Sequence, residues 1–241
     1  MIIIHGDNQF ESRHQLGTVI TQYKQDGYSI TRLEATKMTL AALDDAFGTT
    51  SLFAQPELII IEGVHSLPTS QKKKEILQKI VAFAKQARSE SEQSESSKTC
   101  VLWESRTLTK PMLKAFIEQG AIVKEYPISQ TLFRWLDSLS TEQNTKKMQL
   151  TLLASTLQQE NEFIIFTMLC RQIRLLLEVK TGGMPKVAPF ILTKLQKQAR
   201  VFTEAQLLAA HKKLYTLDLQ MKSSKGYLSV PAQLDLFVLA L

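Results

Sequence analysis

Short apolar runs alternate with longer amphipathic stretches through residues 1–127, and only amphipathic stretches follow. Ile2-Ile3-Ile4-His5 predicts a buried strand, closed by a turn at Gly6-Asp7-Asn8. From Gln9 to Lys24, Phe10, Leu16, Val19, Ile20 and Tyr23 recur at helical spacing, with Asp7 or Asn8 as N-cap. After Gly27, residues 28–33 alternate as a strand, and Thr39–Phe47 places Leu40, Leu43 and Phe47 on one helical stripe. Leu58–Ile61 is a run of large apolar residues ending at Glu62, the pattern of a central parallel strand buried on both faces. Lys72–Ala87 predicts a helix with Ile76, Leu77, Ile80, Val81 and Phe83 on its inner face. The polar segment 89–97 reads as a mobile loop. Cys100–Trp103 is a strand, Pro111 opens a helix that ends at Gly120, and Ala121–Val123 is a last strand. This rhythm implies an α/β domain, a parallel sheet with helices on both faces.

Beyond Pro127 the strands stop. Residues 132–139, 147–158, 162–180, 187–200, 204–221 and 231–241 all read as helices. Thr203 with Gln206 forms a capping-box pattern, and Gly182-Gly183, Pro185 and Gly226 mark breaks. Two domains are expected: 1–127, α/β, and 128–241, all-α.

Ser51-Leu52-Phe53-Ala54 fits neither pattern. Leu52 and Phe53 are adjacent, so on a helix they cannot both face one core, and Pro56 stops any helix near Gln55. The pair is either a local plug under the sheet or an exposed anchor for a partner.

The net charge of +6 lies wholly in the second half, since residues 1–127 carry equal numbers of basic and acidic side chains. That balance suits a phosphate-bearing partner but also many helical domains. Lys72, Lys73 and Lys74 stand at a helix start, where the dipole disfavours them. With Lys222 and Lys225, which lie near Tyr215 and Tyr227, they are candidate DNA contacts, the alternative being solvated charge. The start of the chain lacks a secretory signal, and the run Phe163–Cys170 is broken by Thr167, so no membrane segment is expected. Cys100 and Cys170 read as reduced core thiols of a cytoplasmic protein.

A strand, turn and helix at the start of an α/β chain is where a phosphate-binding loop would sit. Such a loop needs several glycines, a Lys and a Ser/Thr. Gly6-Asp7-Asn8-Gln9-Phe10-Glu11-Ser12-Arg13 has one glycine and two acids instead. Gly63 follows Glu62 where a metal-holding Asp would be needed, so Glu62 reads as a strand-end acid capping a neighbouring helix. No nucleotide site, catalytic residue, cofactor or metal is expected. His5, His14, His65 and His211 share no ligand spacing; His5 and His65 can meet at strand ends, but without a carboxylate in register. Arg106 reads as a solvated loop residue.

Four passages together resemble the delta subunit of the bacterial DNA polymerase III clamp loader. They are the opening Ile2–Phe10, the Ser51–Ala54 segment before Leu58–Glu62, the helix bearing Arg171-Gln172-Ile173-Arg174, and Asp218–Lys222 with Lys225-Gly226. The resemblance implies an AAA+/RecA-like first domain with a degenerate P-loop and no ATPase activity, then a helical collar that joins a ring of loader subunits. It implies that Leu52 and Phe53, with Ser51 and Ala54 shaping the tip, enter a pocket of the sliding clamp, and that the loader meets primed DNA. One departure is clear: the family carries a small lid domain between sheet and collar, for which this chain has no room. The rival readings are a degenerate P-loop NTPase that still turns over ATP and a stand-alone DNA-binding protein.

Overall fold

Strands form where large apolar residues run together, and five such runs build one sheet in the first of two units. The computed structural model describes residues 1–48, 56–90, 98–223 and 228–241, which divide into Met1–Pro127 and Ile128–Leu241.

In the first unit the elements are β1 (Ile2–His5), α1 (Gln9–Gln25), β2 (Ser29–Glu34), α2 (Leu40–Gly48), β3 (Glu57–Glu62), α3 (Gln71–Glu90), β4 (Lys98–Glu104), α4 (Lys110–Ile117) and β5 (Ile122–Glu125). All strand pairs are parallel, in the order β2-β3-β4-β1-β5. This is the parallel α/β sheet with helices on both faces expected from the sequence. The order decides where the helices go. Parallel crossovers are right-handed, so connections running in one direction across the sheet put their helices on one face. Only β1 to β2 runs the other way. Accordingly α1 covers one face alone, packing Leu16, Val19 and Ile20 on Ile4, Leu58, Ile60 and Val101. The opposite face carries α2, α3 and α4, whose Leu43, Ile76, Ile80, Leu113 and Phe116 meet Ile3, Ile59, Ile61 and Leu102. The central strand residues Ile3, Ile4, Leu58–Ile61, Val101 and Leu102 are fully buried, each contributing about 1.5–3 kcal/mol.

Two helix faces differ from the pattern read in the sequence. Phe10 is exposed, and Ser12 takes the buried place in α1, its hydroxyl receiving the Trp103 indole N–H at 3.3 Å. In α3 the core is made by Ile76, Ile80 and Ala84, while Leu77 and Val81 are only partly buried and face a surface groove.

The second unit contains α5 (Gln130–Ser138), a 3-10 turn (Gln143–Thr145), α6 (Lys146–Leu157), α7 (Glu162–Lys180), α8 (Pro189–Ala199), α9 (Glu204–Lys222) and α10 (Val230–Leu239). The long α7 supplies the centre of the core with Ile165, Phe166, Leu169, Ile173 and Leu176, against Trp135, Leu153, Phe202, Leu207 and Phe237. Caps fix the helix starts. The Ser129 and Asn161 side chains accept from Leu132 N and Phe163 N, and Thr203 with Gln206 completes a capping box. Lys146 is buried, its ammonium donating to the Ser140 carbonyl at 2.9 Å and the Val238 carbonyl at 3.0 Å, so α6 holds the end of α10. Burial lowers the pKa of that ammonium. Only residues 126–129 separate β5 from α5, so no lid domain intervenes. Among the described residues, no helix is long and apolar enough to cross a membrane.

Candidate functional site at the strand ends of the α/β unit

In parallel sheets ligands bind at the carboxyl ends of the strands, where the strand order reverses. Here that place lies around β1, between β4 and β5. The turn after β1 leaves the fully buried His5 through Gly6, whose φ is +138°. Two of its amides are already engaged. Gly6 N donates to the Arg106 carbonyl at 3.2 Å and Asn8 N to the Tyr126 carbonyl at 3.0 Å, while Tyr126 N returns a bond to the His5 carbonyl at 2.8 Å. The Asp7 carboxylate accepts from the Thr107 amide and hydroxyl at 3.2 and 3.1 Å. The Asn8 side chain caps α1 by accepting from Glu11 N at 3.0 Å. Amides that would cradle a phosphate are therefore spent on the loops following β4 and β5, and the acid at the turn is tied down among them.

Glu62 at the end of β3 does not cap a helix, contrary to the sequence reading. Its carboxylate accepts from the Arg13 guanidinium at 2.6 Å, in the second turn of α1, and that guanidinium lies 3.4 Å from the centroid of the Trp103 ring. The pair is half-exposed on the arginine side, so its contribution is about 1 kcal/mol or less. Its effect is to strap α1 across the ends of β3 and β4.

Behind these strand ends sits a second polar group. Glu104 is fully buried and accepts from His65 N at 2.7 Å. Its carboxylate also lies 3.2 Å from His65 Nδ1 and 3.4 Å from the Ser66 hydroxyl. The carboxylate that the sequence reading found missing from the His5/His65 pair is thus present, supplied by β4. Among the described residues no group of three or more His, Cys, Asp or Glu is arranged to hold a metal ion. The His65 carbonyl receives both the Lys73 ammonium, at 2.6 Å, and the Arg106 guanidinium; Lys73 also donates to the Leu67 carbonyl at 2.8 Å. Arg106 is therefore engaged by the loop after β3 rather than simply solvated. Burial and the neighbouring Arg106 charge lower the Lys73 pKa, partly offset by Glu104.

His5 Nδ1 accepts from Leu108 N at 3.3 Å, and Nε2 has no partner. Burial lowers the His5 pKa and His65 adds to that, whereas Glu125, Glu104 and Asp7 oppose it. The native ring stays neutral where an unfolded histidine takes up a proton. Stability from this group is therefore complete above pH 6.5 and declines as pH falls from there towards the lowered native pKa. Urea unfolding at pH 7.5 and about 5.5 should show that decline, and His5→Asn, which keeps an acceptor and cannot titrate, should flatten it. An unchanged slope in His5→Asn would contradict this assignment.

The residues singled out in the sequence scatter. Ser51, Leu52, Phe53, Ala54 and Lys225 lie outside the described residues. Lys72 and Lys74 are exposed in the first turn of α3, beside the engaged Lys73. Lys222 pairs with Asp218 at 2.6 Å in the last turn of α9. Cys100 is fully buried, which pushes its thiol up to about 12, and the half-buried Cys170 is pushed up to about 11. Sequence reasoning missed Arg13, Glu104 and the local role of Lys73. The available signal for Glu104 was an acid closing an apolar strand run, the same signal that Glu62 gives.

Comparison with known proteins adds an independent line. Residues 129–241 match the family model described as DNA polymerase III delta subunit, C-terminal domain. No curated protein matches the sequence. Among solved structures, the Bacillus subtilis DNA clamp loader delta protein is similar at 17% identity with a TM-score of 0.46, over 99% of this chain and 94% of that one.

Proposed function

We propose that this DNA polymerase III delta-like chain is a non-catalytic clamp-loader subunit, gripping a sliding clamp with its α/β unit and joining other loader subunits through its helical unit. The observation that carries the reading is the family match, which runs through the helical unit from residue 129 to residue 241. The turn after β1 supports the non-catalytic part, because the Gly6 and Asn8 amides already bond carbonyls and the Asp7 acid already bonds Thr107. The grip is assigned to Leu52 and Phe53, with Ser51 and Ala54, in the segment that connects α2 to β3. An adjacent Leu-Phe pair ahead of Pro56 offers a large apolar area on a short connection, which is what a pocket anchor requires.

In this mechanism the ring opens by differential affinity: the anchor binds a clamp with a relaxed interface better than a closed one. ATP is consumed by other subunits, and the protein works in the cytoplasm. The basic surplus of residues 128–241 faces primed DNA, with affinity that falls as salt rises.

Binding to the host's sliding clamp tests the reading. Leu52→Ala or Phe53→Ala should each weaken binding by about 30-fold or more with the melting temperature unchanged. A large drop in melting temperature with binding intact would make the pair a core plug. ATP should produce no thermal shift; a shift would revive the NTPase reading, and tight DNA binding without clamp affinity would favour a stand-alone DNA-binding protein.

A further inference from the structure

We propose that the outward face of α8 binds a single-stranded nucleic acid, with Phe190 stacking on a base and Lys197 and Arg200 holding phosphates. This rests on the DNA-binding part of the reading above and names the face that carries it. The clamp anchor is not involved.

The basic surplus is concentrated in one stretch. No acid occurs between Glu178 and Glu204, whereas Lys180, Lys186, Lys194, Lys197 and Arg200 all fall there. They account for five of the six excess charges, because the remainder of residues 128–241 carries nine basic side chains against eight acids. The fold spends two of the five. Lys180 donates to the Ala199 carbonyl at 3.2 Å, and Lys194 pairs with Asp137 at 2.8 Å. Lys186, Lys197 and Arg200 are exposed and have no side-chain partner among the described residues.

Helical spacing puts two of these three cations in line with an aromatic ring. The inward face of α8 gives Leu195 and Ala199 to the core. Phe190, Lys197 and Arg200 stand at i, i+7 and i+10, on the opposite face, Arg200 being the C-cap and still helical in φ and ψ. Phe190 is 67% exposed and takes no part in the core. The helix dipole favours cations at that end of α8 but does not account for the ring. The stripe from Phe190 to Arg200 is about 15 Å long at 1.5 Å per residue, the length of about four nucleotides at 3.4 Å each. An unpaired base offers a face for the ring to stack on while the cations meet the backbone. In a duplex those base faces are covered. A membrane surface would need the apolar face of the helix, which the core already occupies.

The test uses the full chain and a fluorescein-labelled oligo-dT strand of about 12 nucleotides, within the range of single-strand sites, read by anisotropy across a salt series. Lys197→Gln and Arg200→Gln should each weaken binding and make the slope of log affinity against log salt shallower by about 0.7. Phe190→Ala should weaken binding by about 5-fold or more with the slope unchanged. All three variants should keep the wild-type melting temperature, since each removes an exposed group. Lys212→Gln, an exposed cation on α9 outside the stretch, should change neither affinity nor slope. A duplex of the same length should bind less tightly than the strand. Unchanged affinity in the α8 variants, an equal loss in Lys212→Gln, or equal or tighter binding of the duplex would overturn the proposal. Displacement by poly-glutamate as readily as by unlabelled oligo-dT would also overturn it, assigning the face to an acidic protein. If wild-type binding persists in all the α8 variants, this face is wrong and the DNA-binding reading stands. If the wild-type chain binds neither strand nor duplex, both fall.

Discussion

Gly6→Ala is expected to destabilise the α/β unit by about 4 kcal/mol or more, enough to leave much of it unfolded. A Cβ at this position would lie 2.1 Å from the Tyr126 carbonyl oxygen, 2.5 Å from its carbon and 2.7 Å from its nitrogen. These are backbone atoms and cannot rotate away. Moving Tyr126 would break its bonds to both His5 and Asn8. The φ of +138° adds strain for any side chain. Gly27→Ala is the control: its φ is +83°, but nothing lies within 4 Å of an added Cβ. Its cost should be only about 1–2 kcal/mol of backbone strain. Urea unfolding of the two variants measures the difference. Similar losses would mean that the crossing of β1 and Tyr126 is looser than described.

Glu104→Ala should cost about 3–5 kcal/mol. The carboxylate is fully buried and receives the His65 amide, so its removal leaves a buried N–H unsatisfied and frees the loop after β3. Lys73 and Arg106, which hold the His65 carbonyl from the other side, would lose a nearby negative charge as well. Glu104→Gln keeps one carbonyl oxygen for the His65 amide and should cost about 1–2 kcal/mol. Chemical unfolding of both variants checks the order. If Gln proves as damaging as Ala, the charge rather than the acceptor holds the loop.

The sheet's existence and the change to helices after Pro127 were legible because each depends on local periodicity. Four apolar residues at Leu58–Ile61 cannot be satisfied except between neighbours on both faces, and the structure buries all of them. The strand order was not legible, since nothing local to β1 says that it lies between β4 and β5. The candidate site was less legible still. Arg13 meets Glu62 across 49 positions and His65 meets Glu104 across 39. Neither spacing leaves a periodic trace. Burying Glu104 also runs against the usual rule for acids, and it succeeds only because partners from another loop arrive. The sequence reading ended β4 at Trp103, one residue short of that acid. Leu77 and Val81 show the opposite error: helical spacing assigns them to a core, but they lie at the margin of the inward face.

The chain has only two tryptophans, and each unit holds one, Trp103 beneath Arg13 in the first and Trp135 at the centre of the second. Intrinsic emission therefore reads the two halves separately once either indole is replaced by phenylalanine. Whether they melt together or in turn becomes visible without an attached dye, and so does which half responds when a partner is added.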